Sequence, residues 1–438
     1  MIHGYPPTMK PLITKRRTAM NQSQNTSTIS LVHPVCCGID VHKKSVSACL
    51  MFNDDKGQES SIIQEFDTFT DSLMELRDWL LEHDCPVVAM ESTGVYWQPV
   101  HNILEESAQV ILVNARDIKN LPGRKTDIAD SKWLAGLLRY GLLKGSFIPP
   151  QHVREWRALT RLRTKHVQTL NDYKRRTHKL FQSANIKIDS VLTDLFGVTG
   201  RRLMAFLADP QREITLQDVN EAVHGRVRKK VPELYRSIQG HFTAEHAFLL
   251  RSLLRSVEHH EQEIKILNER LNELMSSYEA ILQELDAIPG VNEVIARVIL
   301  AELGPNLDHF PTAQHLASWV GVCPGNNESA GKRKGGRNPV RGHHLKTILV
   351  EAGWGSIKKK DSYYKEKFYR LRARRGAKKA ILAIAHKILK AVYHIMKFGT
   401  PYKELGAEYL KEKTQKANLR RLKQQAAQLG MKLTPIEA

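Results

Sequence analysis

The chain has 438 residues, 42% of them apolar, and carries a formal net charge of +20 with a pI near 9.7. That length supports two or three domains with real cores, and the cation excess points to a polyanionic partner. No apolar run approaches the roughly 20 residues of a membrane-spanning helix, and no apolar signal core opens the sequence, so nucleic acid is the expected partner.

Residues 1–30 are polar and aperiodic, as expected of a disordered extension. From Val35 the pattern changes. Val35–Val41, Val46–Phe52 and Ser61–Phe69 read as strands, and Asp71–His83 reads as a helix with Leu73, Leu76, Trp79 and Leu80 on one face. Pro86–Met90 is a short apolar strand running into Glu91, Val100–Leu104 belongs to a helix, and Val110–Asn114 is a further strand. Thr126–Leu143 is helical, with Ile128, Trp133, Leu134, Leu137 and Leu138 as its apolar stripe. Three strands followed by helix–strand alternation predict an α/β domain with a mixed sheet, an antiparallel meander first and parallel additions after it. The cysteines Cys36, Cys37, Cys49, Cys85 and Cys323 are odd in number and contain no C-x-x-C pair. This argues against a disulfide framework or a zinc site and fits a reducing cytoplasm. The first four lie in or beside apolar strand runs and are expected in the core.

The rest of the chain is predicted to be all-α. Residues 151–185 are helical and basic, and 186–240 form a mixed insertion punctuated by Gly197, Gly200, Pro210, Gly225, Pro232 and Gly240. From Leu250 to Leu285 apolar residues recur in alternating steps of three and four, the pattern of a five-heptad coiled coil. Its partner is either the 151–185 helix of the same chain or a second subunit; His260 falls in the seam. Ile288-Pro289-Gly290-Val291 and the apolar stretch after it read as a helix-hairpin-helix element, whose glycine turn can offer backbone N–H groups to a phosphate. A Gly- and Lys-rich loop spans 321–342, helical patterns resume at His344–Gly353 and Lys378–Met396, and a charged helical tail ends the chain.

Four acids carry the first chemical signal. Asp40 ends a buried strand, where aspartate is unfavourable on propensity alone. Glu91 follows another strand, and Asp127 and Asp130 share one face at the start of a helix. This arrangement resembles the ribonuclease H-like fold of Holliday-junction resolvases, in which four carboxylates converge at one sheet edge. Converging carboxylates repel one another unless a divalent cation neutralises them, and Mg2+ suits all-oxygen ligands.

The loop Pro324–Lys332, with Ser329 in it, carries the second signal. Taken with Gly38-Ile39-Asp40-Val41-His42-Lys43, Glu91-Ser92-Thr93-Gly94-Val95-Tyr96-Trp97, Lys125-Thr126-Asp127-Ile128-Ala129-Asp130 and Ile288-Pro289-Gly290-Val291, it makes the chain resemble the IS110 family of transposases, its IS1111 subgroup most closely. The resemblance covers roughly residues 35–150 and 286–396. It implies a RuvC-like domain whose acidic tetrad, Asp40, Glu91, Asp127 and Asp130, binds Mg2+, and a serine, Ser329, that attacks DNA to form a phosphoserine link. It implies donor and target DNA as substrates and a structured bridge RNA as guide. It further implies a homo-tetramer with composite active sites, at work in a bacterial, nucleoid-associated setting. The domains expected on this basis are a RuvC-like acidic domain at 31–150, a helical coiled-coil region at 151–285 with the 186–240 insertion, a serine transposase domain at 286–400 and a tail at 401–438. Two departures stand out: Ala330 intervenes between Ser329 and Gly331, and Lys346 stands where relatives usually have Arg, whose bidentate fork a lysine cannot reproduce.

Residues 321–380 hold 17 Lys and Arg against 4 Asp and Glu, which concentrates most of the net charge in one stretch. A phosphate-binding track is the expected use, with Lys332, Arg333, Lys334, Arg337, Arg341 and Lys346 nearest the serine. Trp354, Tyr363, Tyr364, Phe368 and Tyr369 interleave with the basic runs and either pack in a core or stack on unpaired bases. Two alternatives stay open: a metal nuclease that hydrolyses DNA with the acids alone, and a non-catalytic nucleic-acid scaffold.

Overall fold

A computed structural model describes residues 31–92, 94–114, 130–324, 327–329, 332–335 and 343–434, with the backbone alone at 327–329 and 332–335. The 1–30 extension, Asp127, Arg337 and Arg341 therefore lie outside the described residues. The chain divides into two compact units, residues 1–148 and 149–438.

The first unit is built on strands β1 (Cys36–Val41), β2 (Ser45–Asn53), β3 (Glu59–Asp67), β4 (Val87–Glu91) and β5 (Gln109–Val113). They form one sheet in the order β3-β2-β1-β4-β5. β1, β2 and β3 pair antiparallel, and β4 and β5 add in parallel, the mixed arrangement expected from the spacing. Strand alternation divides the core between two faces. Cys37, Ile39, Val41, Val46, Ala48 and Leu50 face Leu73, Leu76 and Leu80 of α1 (Thr70–Glu82) and Val100 and Leu104 of α2 (Trp97–Leu104). The intervening residues Cys36, Cys49, Met51, Val87 and Ala89 face Leu134, Ala135 and Leu138 of α3 (Asp130–Arg139). All four strand-associated cysteines are buried, as their apolar neighbours implied.

α3 ends at Arg139, four residues short of the Leu143 limit that periodicity suggested, because Gly141 turns the chain at φ +66°. Arg139 itself is buried. Its guanidinium donates to Pro34 O at 3.1 Å and to Asn53 Oδ1, and its backbone carbonyl accepts from Val32 and His33, so one side chain ties the entry of β1 to the end of β2.

In the second unit, α4 (Gln151–Ser183) and α9 (Ala244–Leu274) are long helices that pack on each other within the chain. The pairing is antiparallel: Arg163 meets Asn268, His166 meets His260, and Lys174 meets Glu261. Between them come the short helices α5 (Ile188–Val191), α6 (Val198–Leu207), α7 (Leu216–Ala222) and α8 (Val231–Ser237), whose Leu203, Met204, Val219 and Leu234 share a core with Phe181 and Leu250. The apolar stripe does not run through one helix to Leu285. α9 stops at Leu274, a 3-10 turn covers Ser276–Tyr278, and α10 (Glu279–Asp286) resumes beyond it.

α11 (Glu293–Leu303), α12 (Ala313–Val320), α13 (His344–Ser356), α14 (Tyr363–Arg375) and α15 (Ala377–Phe398) complete the helical core, and α16 (Glu408–Gln428) is a solvent-exposed tail helix. Gly290 in the α10–α11 turn has φ +86°, and a Cβ there would meet Ala352 O at 2.1 Å and Ser356 N at 2.4 Å. This glycine allows close packing of the turn against α13. Of the interleaved aromatics, Tyr364 and Phe368 are core residues, whereas Trp354 and Tyr369 are exposed.

Candidate active site

The acids of the first unit gather at one corner of the sheet. Ile39 pairs with Met90 across the parallel β1–β4 ladder, so Asp40 and Glu91, one step further on, occupy matching positions at the carboxyl ends of adjacent strands. Alternation puts both on the face covered by α3. Asp130 opens that helix, where the dipole favours a carboxylate. The start of α3 sits directly over β1 because Gly38 has no side chain: a Cβ there would lie 2.1 Å from Ser131 O and 2.4 Å from Ala135 N. Ser47, the β2 partner of Asp40 in the register, meets Ser131 through hydroxyls 3.3 Å apart. Asp40 is 21% exposed and its Oδ2 lies 3.2 Å from His42 Nε2. Sequence reasoning found Asp40, Glu91 and Asp130. It missed Gly38, His42, Ser47 and Ser131, although Gly38 and His42 fall inside the motif quoted above.

The donor chemistry at this corner is that of a hard cation: carboxylate oxygens with no thiol among them. Among the described residues no three Asp, Glu, His or Cys side chains stand close enough to chelate one ion. Asp127, the fourth expected ligand, lies outside those residues.

Ser329 belongs to the second unit. What reads as a loop contains a two-stranded antiparallel ladder, β6 (Asn327–Ser329) with β7 (Lys332–Gly335). Ser329 pairs with Lys332, so it is the last residue of β6, and Lys332, Arg333 and Lys334 lie on the paired strand β7. Lys346 sits in the first turn of α13.

The stem of this segment is well defined. Trp319, near the end of α12, meets the His343 ring edge-on with centroids 4.4 Å apart. Beneath them Glu302 of α11 is 1% exposed and accepts two hydrogen bonds from Arg161, at 2.8 and 3.0 Å. Arg157 donates to the backbone carbonyls of Ala301 and Glu302. Burial, with Arg157 and Arg161 working against Glu302, holds the His343 imidazole down to about 4. Burial also lowers His344. His343 Nδ1 and His344 Nε2 are buried without a hydrogen-bond partner among the described residues. Sequence reasoning did not single out this stem, because its members come from four helices.

Residues 37–186 match a family model described as "Transposase", of the DEDD type found in IS110 elements, and residues 282–370 match one described as "Transposase IS116/IS110/IS902 family". The chain belongs to the IS110 family of transposases. It is also similar to an "Insertion element IS110 uncharacterized 43.6 kDa protein" of Streptomyces coelicolor, 29% identical over 146 residues. That similarity spans 33% of this chain and about a third, 35%, of the relative's length. In this IS110-family chain the first matched span holds the sheet, α3 and all four tetrad positions. The second holds α11, the Ser329 hairpin and the stem residues Glu302, Trp319 and His343, whereas Arg157 and Arg161 of the stem fall in the first. No described helix is long and apolar enough to cross a membrane.

Proposed function

We propose that this chain is a DNA transposase that cuts and rejoins the ends of an insertion sequence through a covalent bond between Ser329 and DNA phosphate. The observation that carries this reading is the placing of Asp40, Glu91 and Asp130 at one corner of the sheet, on the face covered by α3. The sheet order, with its meander followed by parallel strands, supports a RuvC-like fold for this unit. Asp40, Glu91, Asp130 and Asp127 would hold Mg2+. Bound there, it would neutralise charge on the attacked phosphate and ease loss of the serine proton.

The chain's own groups do the rest. The Ser329 Oγ attacks phosphorus, its proton passes to a base, and the phosphorus–oxygen bond to one DNA strand breaks, releasing a protonated hydroxyl. A hydroxyl of the strand to be joined then attacks the phosphoserine and restores the serine. Bond energy is conserved in the ester, so rejoining needs no nucleotide cofactor. The basic return strand Lys332–Lys334, with Arg337, Arg341 and Lys346, supplies phosphate contacts. Donor and target DNA are the substrates, a bridge RNA is the guide, and a homo-tetramer joins the acidic unit of one subunit to the serine unit of another. Membership of the IS1111 subgroup belongs to the same proposal.

The test is incubation of the full chain with element-end DNA, guide RNA and Mg2+, followed by denaturing electrophoresis for a protein–DNA adduct. Wild type forms the adduct, and Ser329→Ala and Asp40→Ala each lose it. Cleavage by Ser329→Ala at the wild-type rate would establish the alternative, a nuclease that uses the acids alone.

A further inference from the structure

Helices α14, α15 and α16 carry lysines that lie outside the serine hairpin in sequence. Lys367 stands on α14, Lys387 and Lys390 on α15, and Lys413 on α16. Burial lowers the Lys367 ammonium and the repulsion of Lys387 and Lys413 adds to it; burial lowers Lys387, with Lys390 and Lys413 adding. His386 of α15 is lowered by burial and then by Lys387 and Lys390. Three carboxylates nearby are engaged elsewhere: Glu366 holds Arg370 at 2.8 Å, Glu408 holds Lys411 at 2.7 Å, and Glu404 caps the backbone N–H groups of Tyr363 and Gly406. Among the described residues none of the four lysines reaches a carboxylate within ion-pair distance.

A basic helix face is usually no more than a solvated surface. Here the ammoniums are interleaved with rings instead. Lys367 Nζ lies 5.6 Å from the centroid of Tyr363, Lys413 Nζ lies 5.9 Å from that of Tyr409, and the two tyrosine rings meet edge-on at 5.9 Å. Beside them opens a cleft of about 240 Å³ whose wall includes Tyr363, Tyr364, Tyr402, His394 and Lys387. The rings of Tyr364 and Tyr402 are stacked within that wall, 21° from parallel. Cations bordering an aromatic cleft are the chemistry that holds an unpaired nucleotide, with stacking for the base and ammonium for the phosphate. A duplex keeps its bases stacked and delivers one to the cleft only at an unstacking cost of a few kcal/mol.

We propose that this face is a binding site for single-stranded nucleic acid, seating one base in the tyrosine cleft and the flanking phosphates on Lys367, Lys387 and Lys413. The inference rests on the lysine and tyrosine geometry and not on the chemistry assigned to Ser329.

The experiment measures affinity of the full chain for short single-stranded RNA, single-stranded DNA and duplex DNA across a salt series. The triple variant Lys367→Gln, Lys387→Gln, Lys413→Gln should reduce the single-strand salt slope by about 2, from three phosphates at ~0.7 each. Restoring charge with Arg at the three positions should recover the slope, which separates lost charge from misfolding. Tyr363→Ala should weaken single-strand binding about tenfold with the slope unchanged. Loss in the RNA arm, the DNA arm or both supports the site and tells which strand it takes. An unchanged single-strand slope in the triple variant overturns it, as does an equal loss with duplex. The serine-adduct assay on the same variant reads the catalytic proposal separately.

Discussion

Gly38 is the residue on which the acidic corner turns. It lies one step from Ile39 and two from Asp40, and its missing side chain lets the backbone of α3 rest on β1. Gly38→Ala drives a methyl into Ser131 O and Ala135 N, both backbone atoms that only a helix shift can relieve. The expected cost is about 3 kcal/mol, at the upper end for overpacking, read as a lowered denaturant midpoint of the first unit. Adduct formation should fall as well, since the helix that must move carries Asp130. The acids themselves were legible in the sequence because aspartate at the end of a buried strand contradicts local propensity. Ser47 and Ser131 were not: each is an ordinary serine until the sheet register and the helix crossing bring their hydroxyls together.

At the scale of elements, the stem under the serine hairpin is a buried polar structure with two expected behaviours. Glu302→Ala takes from the half-exposed Arg161 its bidentate acceptor and from Arg157 a neighbouring charge, while Arg157 keeps its bonds to the backbone carbonyls of residues 301 and 302, so the expected cost is about 2 kcal/mol; a denaturant melt of the variant measures it. The stem also responds to pH. An exposed histidine takes up a proton near 6.5, whereas His343 in the fold resists until about 4. The unfolded chain therefore binds more protons between those values. The stability His343 confers above 6.5 is lost progressively as pH falls to about 4. Melting midpoints measured across that window should drop less for His343→Gln, which has nothing to protonate, than for wild type.

Elements were read from sequence where one period dominated. Strands β1 and β2, helix α1 and the long helix α4 follow their apolar spacing closely. The reading failed where periodicity outlasted the element. The stripe from Leu250 to Leu285 continues in the sequence past the 3-10 turn at Ser276–Tyr278, but there the buried positions slip by one residue, from Leu274 and Ile281 to Met275 and Leu282. The hairpin at Ser329 was hidden for the opposite reason: Asn327-Glu328-Ser329 and Lys332–Gly335 show no polar–apolar alternation, so backbone pairing alone defines them.

Across the whole molecule, charge is the dominant variable. Most of the +20 net charge lies in 321–380, within the second unit. Duplex DNA affinity should therefore fall about a thousandfold between roughly 50 and 200 mM salt, as for a protein that neutralises six or more phosphates. Filter binding across that range checks it, and a shallow slope would remove the phosphate-track reading. The division into an α/β unit and a helical unit was visible in the switch from strand–helix alternation to long helical periods. The burial of Glu302 among arginines was not, since it depends on how α4 and α11 cross.

The distribution of thiols offers an internal gauge of opening. Cys36, Cys37, Cys49 and Cys85 are all buried in the sheet unit, with burial pushing Cys36 up to about 12 and Cys85 up to about 11, while Cys323 alone is partly exposed, in the other unit. Alkylating reagents need the thiolate, so the native fold should yield slow labelling at one position. Each further equivalent of label then timestamps the moment when the β-sheet comes apart, without any engineered probe.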